Sequence, residues 1–253
     1  MNKTALITGA TSGIGKATAY KFAKHDINLI LCGRRQERLD AIQKELDSQI
    51  NVVTLNFDVS QKSEVLQAIA GLPDAFQPID ILVNNAGNAH GLDPIQDGSL
   101  EDWDAMMDIN VKGLLYVSKA VIPTMTERKS GHIINIGSSA GKEVYPKGNV
   151  YCASKHAVLA ITEGMRLDLN PYGIKVSAIN PGLVETEFSE VRFKGDEKAN
   201  EVYKGYKALQ PEDIADIIYF TVSRPPHVTL ADVLIFPTAQ ANSTTVKKTD
   251  AHD

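Results

Sequence analysis

Seven short, nearly continuous apolar runs alternate along the chain with stretches patterned as helices, and that alternation leaves few folds open. The runs cover 4–8, 28–32, 51–56, 79–83, 132–136, 174–179 and 233–236. A strand that is apolar on both sides has to be buried on both faces. That is the situation of a parallel sheet whose consecutive strands are joined by crossing helices. No linker, composition break or internal repeat divides the 253 residues. The expectation is one α/β domain over 1–241, a doubly wound Rossmann-type fold with a parallel seven-stranded sheet and helices on both faces. Residues 242–253 are polar and are expected to be disordered. In such a sheet the ligand lies beyond the carboxyl ends of the strands.

The first of those ends carries Gly9-Ala10-Thr11-Ser12-Gly13-Ile14-Gly15, followed by a helix expected over 16–25. Glycines let backbone approach an anion, and a helix N-terminus directs free N–H groups and dipole at it. The spacing is G-x-x-x-G-x-G, a variant of the usual dinucleotide pattern. The second strand ends at Gly33-Arg34-Arg35 with no acid before the arginines. An acid there would hold a ribose 2′-hydroxyl, whereas arginine suits a 2′-phosphate, so the pair points to NADP. The alternative is that Arg35 only opens the helix 36–46 as a solvated charge. Asp58, before Val59 at the third strand's end, either accepts a hydrogen bond from an adenine amine or closes a turn. Ser60 is expected to cap a helix reaching Leu72. Asn84-Asn85-Ala86-Gly87 ends the fourth strand with small and amide side chains that suit a flat ring close to backbone. His90 and Asp93 beyond it read as surface groups. Ser99-Leu100-Glu101-Asp102 resembles a capping box, and Asn110 interrupts the helical pattern that follows, which hints at a local task.

Tyr151 and Lys155 are four apart and so share one face of a helix, with Ser138 a loop upstream at the end of the fifth strand. A phenol beside an ammonium is an acid–base device, since a nearby positive charge favours the phenolate and lowers its pKa from about 10. Ser138 is placed to point at whatever the tyrosine protonates.

In order and spacing, Thr8-Gly9-x-x-x-Gly13-Ile14-Gly15, Asn84-Asn85-Ala86-Gly87, Ser138, Tyr151-x-x-x-Lys155 and Pro181-Gly182 resemble the short-chain dehydrogenases/reductases, over about 3–237. The resemblance implies that Asn110, Ser138, Tyr151 and Lys155 form a catalytic tetrad. Tyr151 would exchange a proton with the substrate oxygen, and Lys155 would acidify it and hold the nicotinamide ribose. Ser138 would bind the substrate oxygen, and Asn110 would keep a relay water. It places the dinucleotide against Gly9, Thr11, Ser12, Gly13, Ile14, Gly15, Arg34, Arg35, Asp58, Val59, Asn85, Ala86, Gly87, Tyr151, Lys155, Pro181, Gly182, Val184 and Thr186. A closer resemblance, over Arg34–Leu39, Gly137–Gly141, Pro181–Ser189 and Val191–Asp196, is to the NADP-dependent 3-hydroxy acid (serine or allo-threonine) dehydrogenases. These act on small hydroxy acids and their semialdehydes as homotetramers, and some similar enzymes reduce sulfoacetaldehyde. The helices at 101–126 and 150–170 are long and apolar enough to pair across a two-fold axis. Cys152 stands where that family usually has a small residue.

A small acid substrate needs a cation, and Arg192 on the substrate loop, about 182–209, offers a planar fork for a carboxylate. The loop could close as a lid over the nicotinamide. The competing reading is an exposed arginine on a mobile loop, and Lys194 is a second candidate.

A net charge of −5 gives no general attraction to nucleic acid or anionic membrane, and no apolar run is long enough for a bilayer. Cys32 and Cys152 lack disulfide or metal-ligand spacing, and the six histidines form no HExxH pattern. No metal is expected, and the setting is expected to be the cytoplasm. The reading from another class is a non-catalytic dinucleotide-binding sensor, which would have no need of Tyr151 and Lys155.

Overall fold

The computed structural model describes residues 2–195 and 202–249. Seven strands, β1 (Thr4–Thr8), β2 (Asn28–Gly33), β3 (Val52–Asn56), β4 (Ile81–Asn84), β5 (His132–Ile136), β6 (Lys175–Pro181) and β7 (Asp232–Ile235), form one sheet in the order β3-β2-β1-β4-β5-β6-β7. Every neighbouring pair is parallel. The order runs outward in opposite directions from β1 and β4, and a crevice opens there at the strands' carboxyl ends.

The crossovers are α1 (Gly13–Ala23), α2 (Gln36–Leu46), α3 (Lys62–Ala70), α4 (Leu100–Met107), α5 (Leu114–Glu127), α6 (Asn149–Leu169), the short α7 (Phe188–Arg192) and α8 (Pro211–Val222). Successive strand residues face opposite sides, so each strand from β1 to β6 contributes to two cores, whereas at the edge strand β7 only one face is covered and Leu234 is exposed. Ala5, Ile7, Leu29 and Leu31 meet Phe22 of α1, Leu39 and Ile42 of α2, and Ile214 and Ile218 of α8. Leu6, Ile30, Leu82 and Ile133 meet Val65 of α3 and Val117, Val121 and Met125 of α5. Burial on both faces is what the unbroken apolar runs foretold.

Several local expectations needed correction. Ser60 does not cap α3, whose N-cap is Gln61; the Ser60 N–H and hydroxyl both donate to Asp58 Oδ1, at 2.9 and 2.8 Å. Ser99 does cap α4, accepting from the Asp102 N–H at 3.2 Å. Between α4 and α5 the helix widens into a π-turn over Asp108–Gly113, and Asn110 lies inside it. A π-turn is uncommon and often marks a functional site, which accounts for the break in pattern. α5 runs through Pro123 to Glu127.

The polar segment after residue 241 is likewise not loose as far as it is described. Ala241 N–H donates to Thr245 O, Lys247 N–H to Ala239 O and Thr249 N–H to Gly205 O. Composition missed this because the bonds are backbone to backbone and carry no apolar signature. Residues 250–253 lie outside the described residues.

Candidate active site

The loop from β1 to α1 is built so that backbone faces the crevice. Gly9 and Gly13 have φ of +65° and +49°, where a side chain would strain the chain. Gly15 serves packing: a Cβ there would stand 2.4 Å from Gly9 O and 2.5 Å from Asn85 Nδ2. The N-cap Ser12 makes no side-chain cap bond, and the first turn of α1 has no acid, so the helix end is left positive and open. Thr8 Oγ1 accepts from the Asn85 and Ala86 N–H groups, each at 3.0 Å, and Asn85 Nδ2 donates to Thr8 O at 2.9 Å. The Asn85 Nδ2 group is thus engaged in joining β4 to β1. Ala86 and Gly87 continue from it, with Gly87 exposed on the crevice.

Arg34 and Arg35 part company. Arg34 pairs with Asp58 Oδ2 at 3.3 Å. Arg35 donates from Nε and Nη2 to Thr11 Oγ1, at 3.1 and 2.8 Å, and from Nη2 to Ser12 Oγ at 2.8 Å. Asp58 Oδ1 closes the turn with Ser60, one of its two expected roles. Burial raises its carboxyl, but the Ser60 bonds and the Arg34 charge outweigh that and hold it below the ordinary range. Val59 is buried and faces inward, where a Cβ on Gly113 would come within 2.8 Å of its Cγ2.

The four tetrad candidates converge from three elements. Asn110, 2% exposed, accepts from the Asn88 N–H at 2.8 Å and donates to Asn88 O at 2.8 Å and Ser154 Oγ at 3.0 Å. Ser154 in turn donates to Tyr151 O at 2.7 Å, so the π-turn is tied to the helical turn that carries the tyrosine. A Cβ on Gly87 would meet Asn110 Oδ1 at 3.2 Å and Lys155 Nζ at 3.5 Å. Ser138 Oγ accepts from the Ala140 N–H at 3.1 Å, which leaves its own proton free to donate.

Tyr151 and Lys155 are both buried on α6, but the expected effect of one on the other is not found. Burial pushes the Tyr151 hydroxyl well above its ordinary pKa, and the neighbouring Tyr145 phenol adds to that. The Ser138 hydroxyl and the Arg192 charge pull it back in part. Lys155 points Nζ at Ile136 O, 3.0 Å away, and burial lowers its own pKa to about 8. Spacing shows which residues are neighbours on a helix; desolvation depends on everything packed around them.

The Lys155 shift has a consequence for stability. Its folded pKa of about 8 lies below the unfolded value of about 10.4, so the unfolded chain binds more protons between the two. Stability should therefore rise with pH through that window, and the full cost of burial applies below it. Urea unfolding should show wild type gaining on a Lys155→Met variant by roughly 2 kcal/mol from pH 8 to pH 10. An unchanged difference would contradict the buried ammonium.

At the crevice's far side Pro181 ends β6, and the Gly182 N–H donates to Ile235 O at 2.7 Å. Val184 bridges to Leu209 at the base of the substrate loop, and the Thr186 methyl packs at Gly13. α7 lies over the tyrosine. The Phe188 ring is 5.7 Å from the Tyr151 ring, and the Arg192 guanidinium is 5.5 Å from it. Arg192 Nε donates to Gly91 O at 3.1 Å and Nη1 to Tyr145 Oη at 2.9 Å. It is therefore a half-buried, partnered group with several N–H donors left, which tells against an exposed arginine. Lys194 pairs with Asp102 at 3.0 Å. Asp196, the last residue of the resembling stretch, lies outside the described residues.

Tyr151, Arg192, Trp103, Asn149, His90 and Asp93 line one narrow cavity. His90 is half-buried there, while Asp93 is exposed, as a surface group is expected to be. Tyr145, Ser154, Arg38 and Glu187 also escaped the sequence reading. Their partners lie on other elements, apart from the bond of the Ser154 hydroxyl to Tyr151 O within α6.

A family model described as short chain dehydrogenase matches residues 3–197. The NADP-dependent 3-hydroxy acid dehydrogenase of Salmonella typhi is 46% identical over 238 residues, 93% of this chain and 95% of that one. Sulfoacetaldehyde reductase 2 of Chromohalobacter salexigens is 44% identical over 243 residues, 95% of this chain and 96% of that one. Among solved structures, the closed form of serine dehydrogenase complexed with NADP+ superposes with a TM-score of 0.91 at 41% identity, covering 98% of this chain and all of that one.

Proposed function

The chain belongs to the short-chain dehydrogenase/reductase family, and on that premise we propose that it is an NADP-dependent oxidoreductase acting on a small 3-hydroxy acid or its semialdehyde. The single observation that carries the substrate class is Arg192, fixed directly over the Tyr151 ring in a cavity lined by both. A guanidinium there can hold the acid group of a molecule short enough to reach the tyrosine hydroxyl at its other end.

The residues fit a phosphorylated dinucleotide. The open end of α1 and the backbone of the glycine loop suit a pyrophosphate, and Arg34 and Arg35 stand where a 2′-phosphate would lie. When bound, the nicotinamide supplies the hydride. This chain's residues supply placement and the proton. Tyr151, kept protonated by its surroundings, gives its proton to the carbonyl oxygen during reduction and takes it back during oxidation. Ser138 donates to the same oxygen, stabilising negative charge as it develops. Lys155 retains two N–H groups beyond the one on Ile136 O for ribose hydroxyls. Asn110 holds the Asn88 backbone and, through Ser154, the turn of α6 bearing Tyr151.

A second reading, reduction of sulfoacetaldehyde, is favoured by the similar reductase, because Arg192 would accept a sulfonate as well as a carboxylate. A panel of aldehydes of equal length bearing carboxylate, sulfonate or no charge, assayed with NADPH, tests both readings. The carboxylate compound is expected to give the highest kcat/KM. A higher value for the sulfonate would select the second reading, and preference for the uncharged compound would refute both.

A homotetramer in the cytoplasm completes the proposal. Leu115 on α5 and Leu167 on α6 are 40% and 71% exposed, which suits pairing of these helices between copies. Both cysteines are free and buried, as a reducing compartment allows. No helix among the described residues is long and apolar enough to cross a membrane.

A further inference from the structure

We propose that Glu187 is a cofactor-specificity residue, a carboxylate that competes with the cofactor's 2′-phosphate for Arg35 and Arg38; this rests on the assignment of the arginine cluster to that phosphate. Glu187 directly precedes α7, at the opposite end from Arg192. Its Oε2 lies 2.8 Å from Arg35 Nη1 and its Oε1 2.6 Å from Arg38 Nη1.

The geometry leaves Arg35 little to offer a second anion. Its Nε hydrogen and both Nη2 hydrogens go to Thr11 and Ser12, and one Nη1 hydrogen goes to Glu187. Of the five N–H groups of a guanidinium, a single one remains, on the nitrogen that already carries the carboxylate. A phosphate dianion arriving there must displace Glu187 or lie against its negative charge. Arg38 gives one Nη1 hydrogen to the same carboxylate. Arg34 is different, because its partner is Asp58 and its side chain is 68% exposed.

A dinucleotide with a plain 2′-hydroxyl makes no such demand. It brings no charge to be repelled, and a carboxylate at this place can accept from a ribose hydroxyl. Glu187 therefore weakens the preference for the phosphorylated cofactor relative to what three clustered arginines would otherwise give. It does so from the substrate loop, a segment distant in sequence from the strand end where cofactor preference is usually read.

The test is calorimetric titration of the full-length protein with NADPH and with NADH, for wild type, Glu187→Gln and Arg34→Ala. The glutamine keeps shape and removes charge at a partly exposed position, where one ion pair is worth about fivefold in affinity. Glu187→Gln is expected to tighten NADPH by about fivefold while NADH stays the same or weakens. Looser NADPH binding, or equal changes for both cofactors, would overturn the proposal by showing that the carboxylate aims the arginines. If Arg34→Ala loosens NADPH selectively while Glu187→Gln does nothing, the arginine assignment stands and this inference falls. If neither variant changes the ratio, the arginine assignment falls too.

Discussion

A Tyr151→Phe variant is expected to lose roughly two to four orders of magnitude in kcat while its Kd for NADPH stays near that of wild type. The substitution removes one oxygen from a side chain only 8% exposed, and the ring's packing on Phe188 is preserved. Folding and cofactor binding therefore have little reason to change. The lost oxygen is the one placed beside Ser138 to exchange a proton with substrate. Because burial holds that hydroxyl above its ordinary pKa, wild type carries the proton at neutral pH and is ready to reduce. Oxidation needs the phenolate, so its rate should climb as pH rises towards that raised pKa, whereas reduction should not. Stopped-flow single turnovers in both directions across pH would check this. A phenylalanine variant that keeps most of its turnover would remove the basis for the roles of Ser138 and Lys155 along with that of the tyrosine.

Arg192→Ala should lower kcat/KM for a short acid substrate by roughly a hundredfold, the scale of losing one partner of a desolvated charge pair. For an uncharged carbonyl compound of the same length the loss should be far smaller. The comparison matters because Arg192 also holds Gly91 O and Tyr145 Oη, and any general loosening would affect both substrates alike. The same variant removes a positive charge that pulls Tyr151 down, so the alkaline rise in oxidation should move to higher pH. Equal losses for charged and uncharged substrates would leave Arg192 as a structural clamp only.

Much of the site was legible in the sequence, for a physical reason. Glycines with positive φ, a Tyr and Lys on one helical face and a hydroxyl at a strand end are local features, written in residues next to one another. Asn110 was legible as an anomaly, a poor helix residue in a helical run, and the π-turn explains it. The readings that failed were those that depend on which of several partners a side chain takes. Ser60 reads as a cap until Asp58, two residues before it, claims its hydroxyl. His90 looks exposed until α4 and Arg192 line a cavity with it.

By itself the sequence determined the sheet, its parallel sense and the edge where chemistry collects, because strand burial and βα alternation follow from apolar patterning alone. Only the tertiary structure decided the direction in which Tyr151 and Lys155 titrate, the separate partners of Arg34 and Arg35, and the position of Glu187 against Arg35 and Arg38. Each of those is an electrostatic outcome set by desolvation and by charges brought together from distant segments. Such quantities depend on distances through space, and spacing along the chain does not encode them.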